Sequence, residues 1–174
     1  ELCYGFIGRR REHTWEYVGT ANLLAVIRSK HTDTVFYGPN GWAPKDDWAL
    51  RKVDVLRMYP GRANHPYSTK FIYMDRQSTE ALYANAFDKA GELWKIWQIQ
   101  KSWTEDSQYA AQREKFKGDV TNPGTRVLSF QSINVIDKQN NRGTLVPCRG
   151  VSYPDTTIKK VKRTHDVNYL TEGR

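Results

Sequence analysis

Apolar and aromatic positions recur at strand spacing through three consecutive runs between His65 and Trp103, and polar turn residues separate the runs. Tyr67–Met74 gives way to Asp75-Arg76-Gln77-Ser78-Thr79, Glu80–Phe87 gives way to Asp88-Lys89-Ala90-Gly91, and Glu92–Trp103 follows. An aspartate that opens a short loop bonds the backbone with its side chain, and a glycine that closes one adopts a positive φ. Runs of this length, rich in Tyr, Phe, Trp and Ile, predict strands. Loops this short join antiparallel neighbours, not parallel ones. The segment therefore reads as an antiparallel meander.

If the turns pair Met74 with Glu80 and Phe87 with Glu92, alternation places Tyr67, Phe71, Tyr73, Tyr83, Phe87, Trp94 and Ile96 on one face. Lys70, Ile72, Met74, Leu82, Ala84, Lys95, Trp97 and Ile99 fall on the other. A sheet with one wet face is polar there, and neither of these faces is. Two readings follow. Either the domain covers both faces and the aromatics are core, or the face carrying Phe71, Tyr73, Tyr83, Phe87 and Trp94 lines an apolar cavity for a ligand.

The rest of the chain adds strands around this centre. Trp15–Arg28 reads as one or two strands interrupted near Gly19, and Trp48–Tyr59 as another, stopped by Pro60-Gly61. Lys30–Asp47 between them is a long loop rich in glycine and proline. Arg126–Ile136 is a strand, Asp137–Gly143 its turn and Thr144–Cys148 a short return. Tyr109–Phe116 favours helix and ends at Gly118. Thr157–Leu170 fits neither period cleanly. No repeat or linker divides the 174 residues, so residues 1–174 read as a single domain, long enough to bury a core.

Composition sharpens this in two respects. Aromatic residues make up 13%, with six Trp and ten Tyr, which leans toward β structure. The mean hydropathy is -0.75, and the longest apolar run, Leu23–Ile27, is far short of the ~20 residues of a spanning helix. The net charge is +8 and the pI about 9.5. Basic clusters at Arg9-Arg10-Arg11 and at Lys159-Lys160 with Lys162-Arg163 suit a solvated face, anionic lipid headgroups or an acidic partner. No nucleic-acid-binding motif accompanies them.

Catalytic chemistry finds little support. His13, His31, His65 and His165 are scattered without the spacing of a helical metal pair, and no nucleophile elbow, phosphate loop or dinucleotide fingerprint occurs. No cofactor or metal is expected, and the chain reads as non-enzymatic. His65 precedes a proline at a strand entrance, where turn geometry accounts for it. Asp46-Asp47 lies in the breaker-rich loop, either as a cation-binding pair or as solvated carboxylates. Cys3 and Cys148 are either one disulfide or two separate thiols.

Several segments in order are similar to one bacterial envelope family. His65-Pro66-Tyr67-Ser68, Tyr73-Met74-Asp75, Leu82-Tyr83-Ala84 and Asp88-Lys89-Ala90-Gly91-Glu92-Leu93-Trp94-Lys95 carry the likeness. So do Ile133-Asn134-Val135-Ile136-Asp137 with Gly143-Thr144, and the ending Val167–Arg174. Together they resemble the C-terminal half of the family catalogued as domain of unknown function 1329. The resemblance implies a periplasmic protein with a lipoprotein-carrier-like fold: a curved, open antiparallel β-sheet or incomplete barrel around an apolar cavity, with one or two short helices. Family members are often encoded beside membrane exporters and carry no established catalytic residues. They are longer than this chain, so the resemblance also implies a C-terminal part whose signal peptide and N-terminal half lie upstream. Such a part has an exposed edge that something must cover.

The expected function is accordingly non-enzymatic binding or carriage of a hydrophobic or lipid-like molecule in the periplasm or cell envelope, serving an exporter. The alternative is a structural subunit of an envelope or extracellular assembly, its aromatic faces buried against another chain or the missing N-terminal half.

Overall fold

The computed structural model describes residues 5–6, 8–29, 35–103 and 128–147. The predicted meander is present. Strands β1 (His13–Ala25), β2 (Phe36–Tyr37), β3 (Ala43–Pro44), β4 (Ala49–Pro60), β5 (Thr69–Asp75), β6 (Ala81–Phe87), β7 (Leu93–Trp103), β8 (Leu128–Asp137) and β9 (Arg142–Pro147) follow in chain order. Seven form one sheet in the order β1-β4-β5-β6-β7-β8-β9, and β2 pairs with β3 as a separate ribbon. Every pairing is antiparallel. The fold is mainly β, an open antiparallel sheet whose described edges are β1 and β9. The only described helices are two short 3-10 turns, Arg10–Glu12 and Pro39–Gly41. Tyr109–Phe116, Cys3, Cys148 and residues 157–170 lie outside the described residues.

The turns form by the chemistry their sequences predict. The Asp75 carboxylate accepts from the Ser78 amide at 2.9 Å and the Ser78 hydroxyl at 2.7 Å. Asp88 accepts from the amides of Ala90 and Glu92, both at 2.9 Å, while Gly91 closes the loop at φ +85°. Asp137 repeats the device, accepting from the Asn140 amide at 3.0 Å.

Bulges set the faces. Register shifts occur on β1 between Tyr17 and Gly19, on the β5–β6 pair, on the β6–β7 pair and on the β7–β8 pair. Each extra residue bends its strand and turns side chains relative to strict alternation. On β6, Tyr83 pairs with Tyr73 while Ala81 pairs with Met74, so Leu82 is the inserted residue. On β7, Lys95 pairs with Ala86 while Leu93 pairs with Phe87, so Trp94 is inserted.

Two apolar clusters lie on the two faces. The larger contains Tyr67, Ile72, Ala84, Ala86, Trp97, Ile99 and Ile133, with Phe6, Trp15 and Trp94 packed against it. The smaller contains Ala25, Ile27, Val53, Val55 and Leu82, with Phe71, Tyr73 and Tyr83 against it. The segment around Gly5 lies on the larger cluster. Gly5 has φ +66°, and a Cβ there would collide with the Ala84 side chain. Lys70, fully buried, donates from Nζ to the Gly5 carbonyl at 2.7 Å and lies between the rings of Tyr67 and Trp97.

The sheet curls. Beyond β1, the Val26 carbonyl accepts from the Lys101 amide and the Ser29 amide donates to the Lys101 carbonyl, both at 2.9 Å. Lys101 is on β7, four places from β1, which in a flat sheet is about 19 Å away. The β6–β7 pairing stops at Tyr83 and Gln98, and the segment after β1 occupies the side of β7 that β6 leaves open. Trp42, from the loop between β2 and β3, lies against Gly143 of β9, and its carbonyl accepts from Asn134 of β8.

Candidate functional site

Four of the five residues expected to share an aromatic face do share it. Phe71, Tyr73, Tyr83 and Phe87 are all half-buried. Tyr73 and Tyr83 are cross-strand partners, and the Phe71 and Phe87 rings meet edge to face at 5.6 Å. The Arg57 guanidinium stands 5.4 Å from the Phe71 ring centre and 4.7 Å from that of Tyr59. An arginine so placed covers apolar surface with its planar head and is attracted to the ring faces.

Trp94 is the exception and corrects the expected face. As the inserted residue of the β7 bulge it turns to the opposite side, where its ring meets Tyr67 edge to face at 5.4 Å. Tyr67 lies with it in the larger cluster, also opposite to expectation. Leu82 makes the reverse exchange and joins Phe71, Tyr73 and Tyr83. Alternation reads Trp94 and Leu82 wrongly because it counts one residue per pleat and a bulge spends two, and it does not apply to Tyr67, which precedes the bend at Ser68 and the start of β5.

The two tyrosines of the face are held by hydrogen bonds. Tyr83 donates from its hydroxyl to the Leu24 carbonyl of β1 at 2.8 Å, and burial pushes its pKa up to about 12. Burial also raises the pKa of Tyr73, partly offset by the Asn85 amide that donates to its hydroxyl at 3.2 Å. Both are neutral at physiological pH. At the Tyr83 end the sheet folds over this face, and Ala25, Ile27 and Val53 fill the space.

Beyond Ile27 an open cleft of about 600 Å³ begins, lined by Ile27, Trp103 and Leu128 on its apolar side and by Arg28, Arg51 and Glu80 among its polar residues. None of Phe71, Tyr73, Tyr83, Phe87 or Trp94 lines it. Sequence reasoning did not single out this cleft, because its walls come from the segment after β1, from β4, from the β5–β6 turn, and from β7 and β8. Arg51 forms a two-pronged ion pair with Asp75, Nε and Nη2 each 2.9 Å from a carboxylate oxygen, and Nη2 also donates to Gln77 at 2.7 Å. Burial opposes ionisation of Asp75, but the bonds from Arg51 and Ser78 outweigh it and hold its pKa below the ordinary value. Lys101, fully buried, reaches the Glu80 carboxylate at 2.8 Å; burial lowers its pKa and Glu80 partly restores it.

The remaining candidates resolve into structural roles or fall outside view. His65 accepts the Tyr67 amide on Nδ1 at 3.2 Å, a turn at the entrance to β5. Asp46 is buried and accepts the Ser29 hydroxyl at 2.9 Å, whereas Asp47 is exposed. Among the described residues no three metal-ligating side chains converge, and no helix is long and apolar enough to cross a membrane.

Comparison with solved structures gives two distant likenesses. One is a domain described as an outer membrane lipoprotein-sorting protein from Vibrio parahaemolyticus, 12% identical, with a TM-score of 0.43, covering 78% of this chain and 40% of that one. The other is a DUF1329 family protein from Desulfovibrio piger, 14% identical, with a TM-score of 0.43, covering 83% of this chain and 44% of that one. The chain thus spans less than half the length of either. Comparison with curated proteins gives no match. The family model described as "Protein of unknown function (DUF1329)" matches residues 3–146, most of the sequence and the whole sheet through β9 but for its last residue, and the chain belongs to that family.

Proposed function

We propose that this chain is a non-catalytic binding module of the bacterial envelope that holds or carries an apolar molecule on the face bearing Phe71, Tyr73, Tyr83 and Phe87. One observation supports this above others: the segment around Gly5 and Phe6 packs on the larger cluster, while the aromatic row on the opposite face stays half-exposed. Apolar surface left partly wet on a rigid sheet gains about 25 cal/mol per Å² when a ligand removes it from water. Neutral tyrosine hydroxyls, already tied to Leu24 and Asn85, leave their rings to serve as apolar walls.

The test is binding of a hydrophobic fluorescent probe to the purified chain and to Phe71→Ala. The reading expects saturable binding weakened at least fivefold by the substitution. If the wild-type chain binds no probe and instead self-associates or captures another chain through this face, the row is an interface and the structural-subunit reading takes its place.

A further inference from the structure

The short connections at one end of the sheet form a continuous basic rim. The antiparallel order brings the 3-10 turn at Arg10–Glu12 and the β4–β5, β6–β7 and β8–β9 connections to the same end. Each touches the next. Gly61 lies against the Glu12 carbonyl, Lys89 donates from Nζ to the Ala63 carbonyl at 3.4 Å, and Gln139 donates to Asp88 at 2.6 Å. The Trp15 indole donates to the Arg10 carbonyl at 3.0 Å and ties the 3-10 turn to β1.

Positive charge collects on this rim and is not answered there. Arg9 caps the 3-10 turn and Arg10 and Arg11 lie in it, while Arg62, Lys89 and Lys138 stand on the three connections that follow. All six are exposed, and none forms an ion pair among the described residues. The same segments carry three carboxylates, Glu12, Asp88 and Glu92, which leaves a surplus of three positive charges. Asp88 is moreover taken up by the amides of Ala90 and Glu92 and by Gln139. The described connections at the opposite end are balanced, with Arg28, Lys45 and Arg76 against Asp46, Asp47 and Glu80. The described chain thus has a positive end, and cations gathered on one rim attract an extended anion.

The kind of anion follows from what adjoins the rim. Phe87 ends β6 and Phe71 lies near the start of β5, so the half-exposed aromatic row runs down to this end. Its Tyr83 end is filled by Ala25, Ile27 and Val53. No large apolar side chain is exposed on the rim itself; Tyr17, Leu24 and Leu50, among those exposed, lie on strands. The rim therefore offers bases no exposed ring on which to stack, and its contact with lipid is electrostatic, at the level of the headgroups.

We infer that the basic rim docks the chain on an anionic lipid surface, with the Phe71–Phe87 end of the aromatic row nearest the bilayer. The choice of lipid over another polyanion rests on the binding face proposed above. Attraction of this kind is screened by salt, so docking is reversible.

The experiment measures sedimentation of the 174-residue chain with vesicles of phosphatidylcholine alone or with about one third phosphatidylglycerol, at about 0.05 M and about 0.5 M salt. At low salt the anionic vesicles should bind at least tenfold more tightly than the neutral ones, and high salt should remove the difference. Arg62→Gln with Lys89→Gln takes two charges from the rim and should weaken anionic binding at least fivefold. Lys45→Gln with Arg76→Gln takes two from the opposite end and should change it less than twofold. All four side chains are exposed, and unfolding midpoints check that both variants stay folded. Equal losses in the two variants overturn the rim, since net charge alone then governs binding. Equal affinity for neutral and anionic vesicles overturns it too, as does tighter binding to duplex DNA than to anionic vesicles. If a hydrophobic probe binds and anionic vesicles do not, the rim fails while the binding face stands. If the vesicles bind and the probe does not, the binding face fails while the rim stands.

Discussion

Lys70 and Gly5, 65 residues apart, are joined by a 2.7 Å hydrogen bond from a fully buried ammonium to a backbone carbonyl. The charge is stabilised on its flanks by the Tyr67 and Trp97 rings, at 4.6 and 4.7 Å from their centres. Lys70→Met keeps much of the apolar stem but leaves the carbonyl without this donor. The expected cost is about 1–3 kcal/mol, read by urea unfolding, with earlier tryptic cleavage at Arg9–Arg11 as the segment loosens.

Gly5→Ala addresses the same contact from the other side. A methyl there meets the Ala84 side chain, and the backbone is held at φ +66°. Steric conflict and strain together should cost roughly 2 kcal/mol. Lys70→Met and Gly5→Ala loosen one contact, so their combined effect should be less than the sum. A double-mutant cycle measures this.

Trp94→Ala should behave as a core truncation. The indole packs on Tyr67 in the larger cluster, so loss of stability on the order of 3 kcal/mol is expected. Affinity for a hydrophobic probe should stay near wild type under conditions where the variant is folded. A selective loss of probe affinity without loss of stability would place Trp94 at the ligand after all.

Acid stability should depend on Asp75. Its pKa is depressed in the folded state by Arg51 and Ser78 against the opposing effect of burial. A depressed carboxyl adds stability that is complete above its unfolded value, near 3.8, and is lost as pH falls through the lower folded value. Asp75→Asn should therefore destabilise the chain at pH 7 by roughly 3 kcal/mol, since it breaks a largely buried pair, and by progressively less toward pH 2. Denaturant midpoints of the two proteins between about pH 2 and 7 should converge at the acid end; parallel curves would show that Asp75 does not carry this dependence.

Much of the sheet is legible in the sequence. The run at Glu80–Phe87 becomes β6 at Ala81–Phe87, and Glu92–Trp103 becomes β7 at Leu93–Trp103, because aspartates and Gly91 mark the turns locally. The interruption expected near Gly19 is the β1 bulge. The face of Tyr67, which precedes β5, was not set by strand alternation, and the faces of Trp94 and Leu82 were not legible. A bulge is a choice between two registers, made by packing across strands, and the single-strand pattern contains only one of the two partners. Nor was the cleft: Arg28, Arg51, Glu80 and Trp103 lie far apart in the chain and meet only when the sheet curls. Lys70 and Lys101 read as ordinary strand lysines, since nothing in their neighbours announces burial.

The bonds from Val26 and Ser29 to Lys101 bear on how the molecule comes into being. The chain leaving β1 emerges from the ribosome more than seventy residues before Lys101, the residue it finally grips. Until β7 exists, that stretch has no backbone partner there, and closing so long a loop costs entropy before any contact repays it. The central hairpins, joined by tight turns, are free to zip first. The segment that follows the first strand is then among the last secured, and its apolar residues, Val26 and Ile27, stay open to rival strands during the wait.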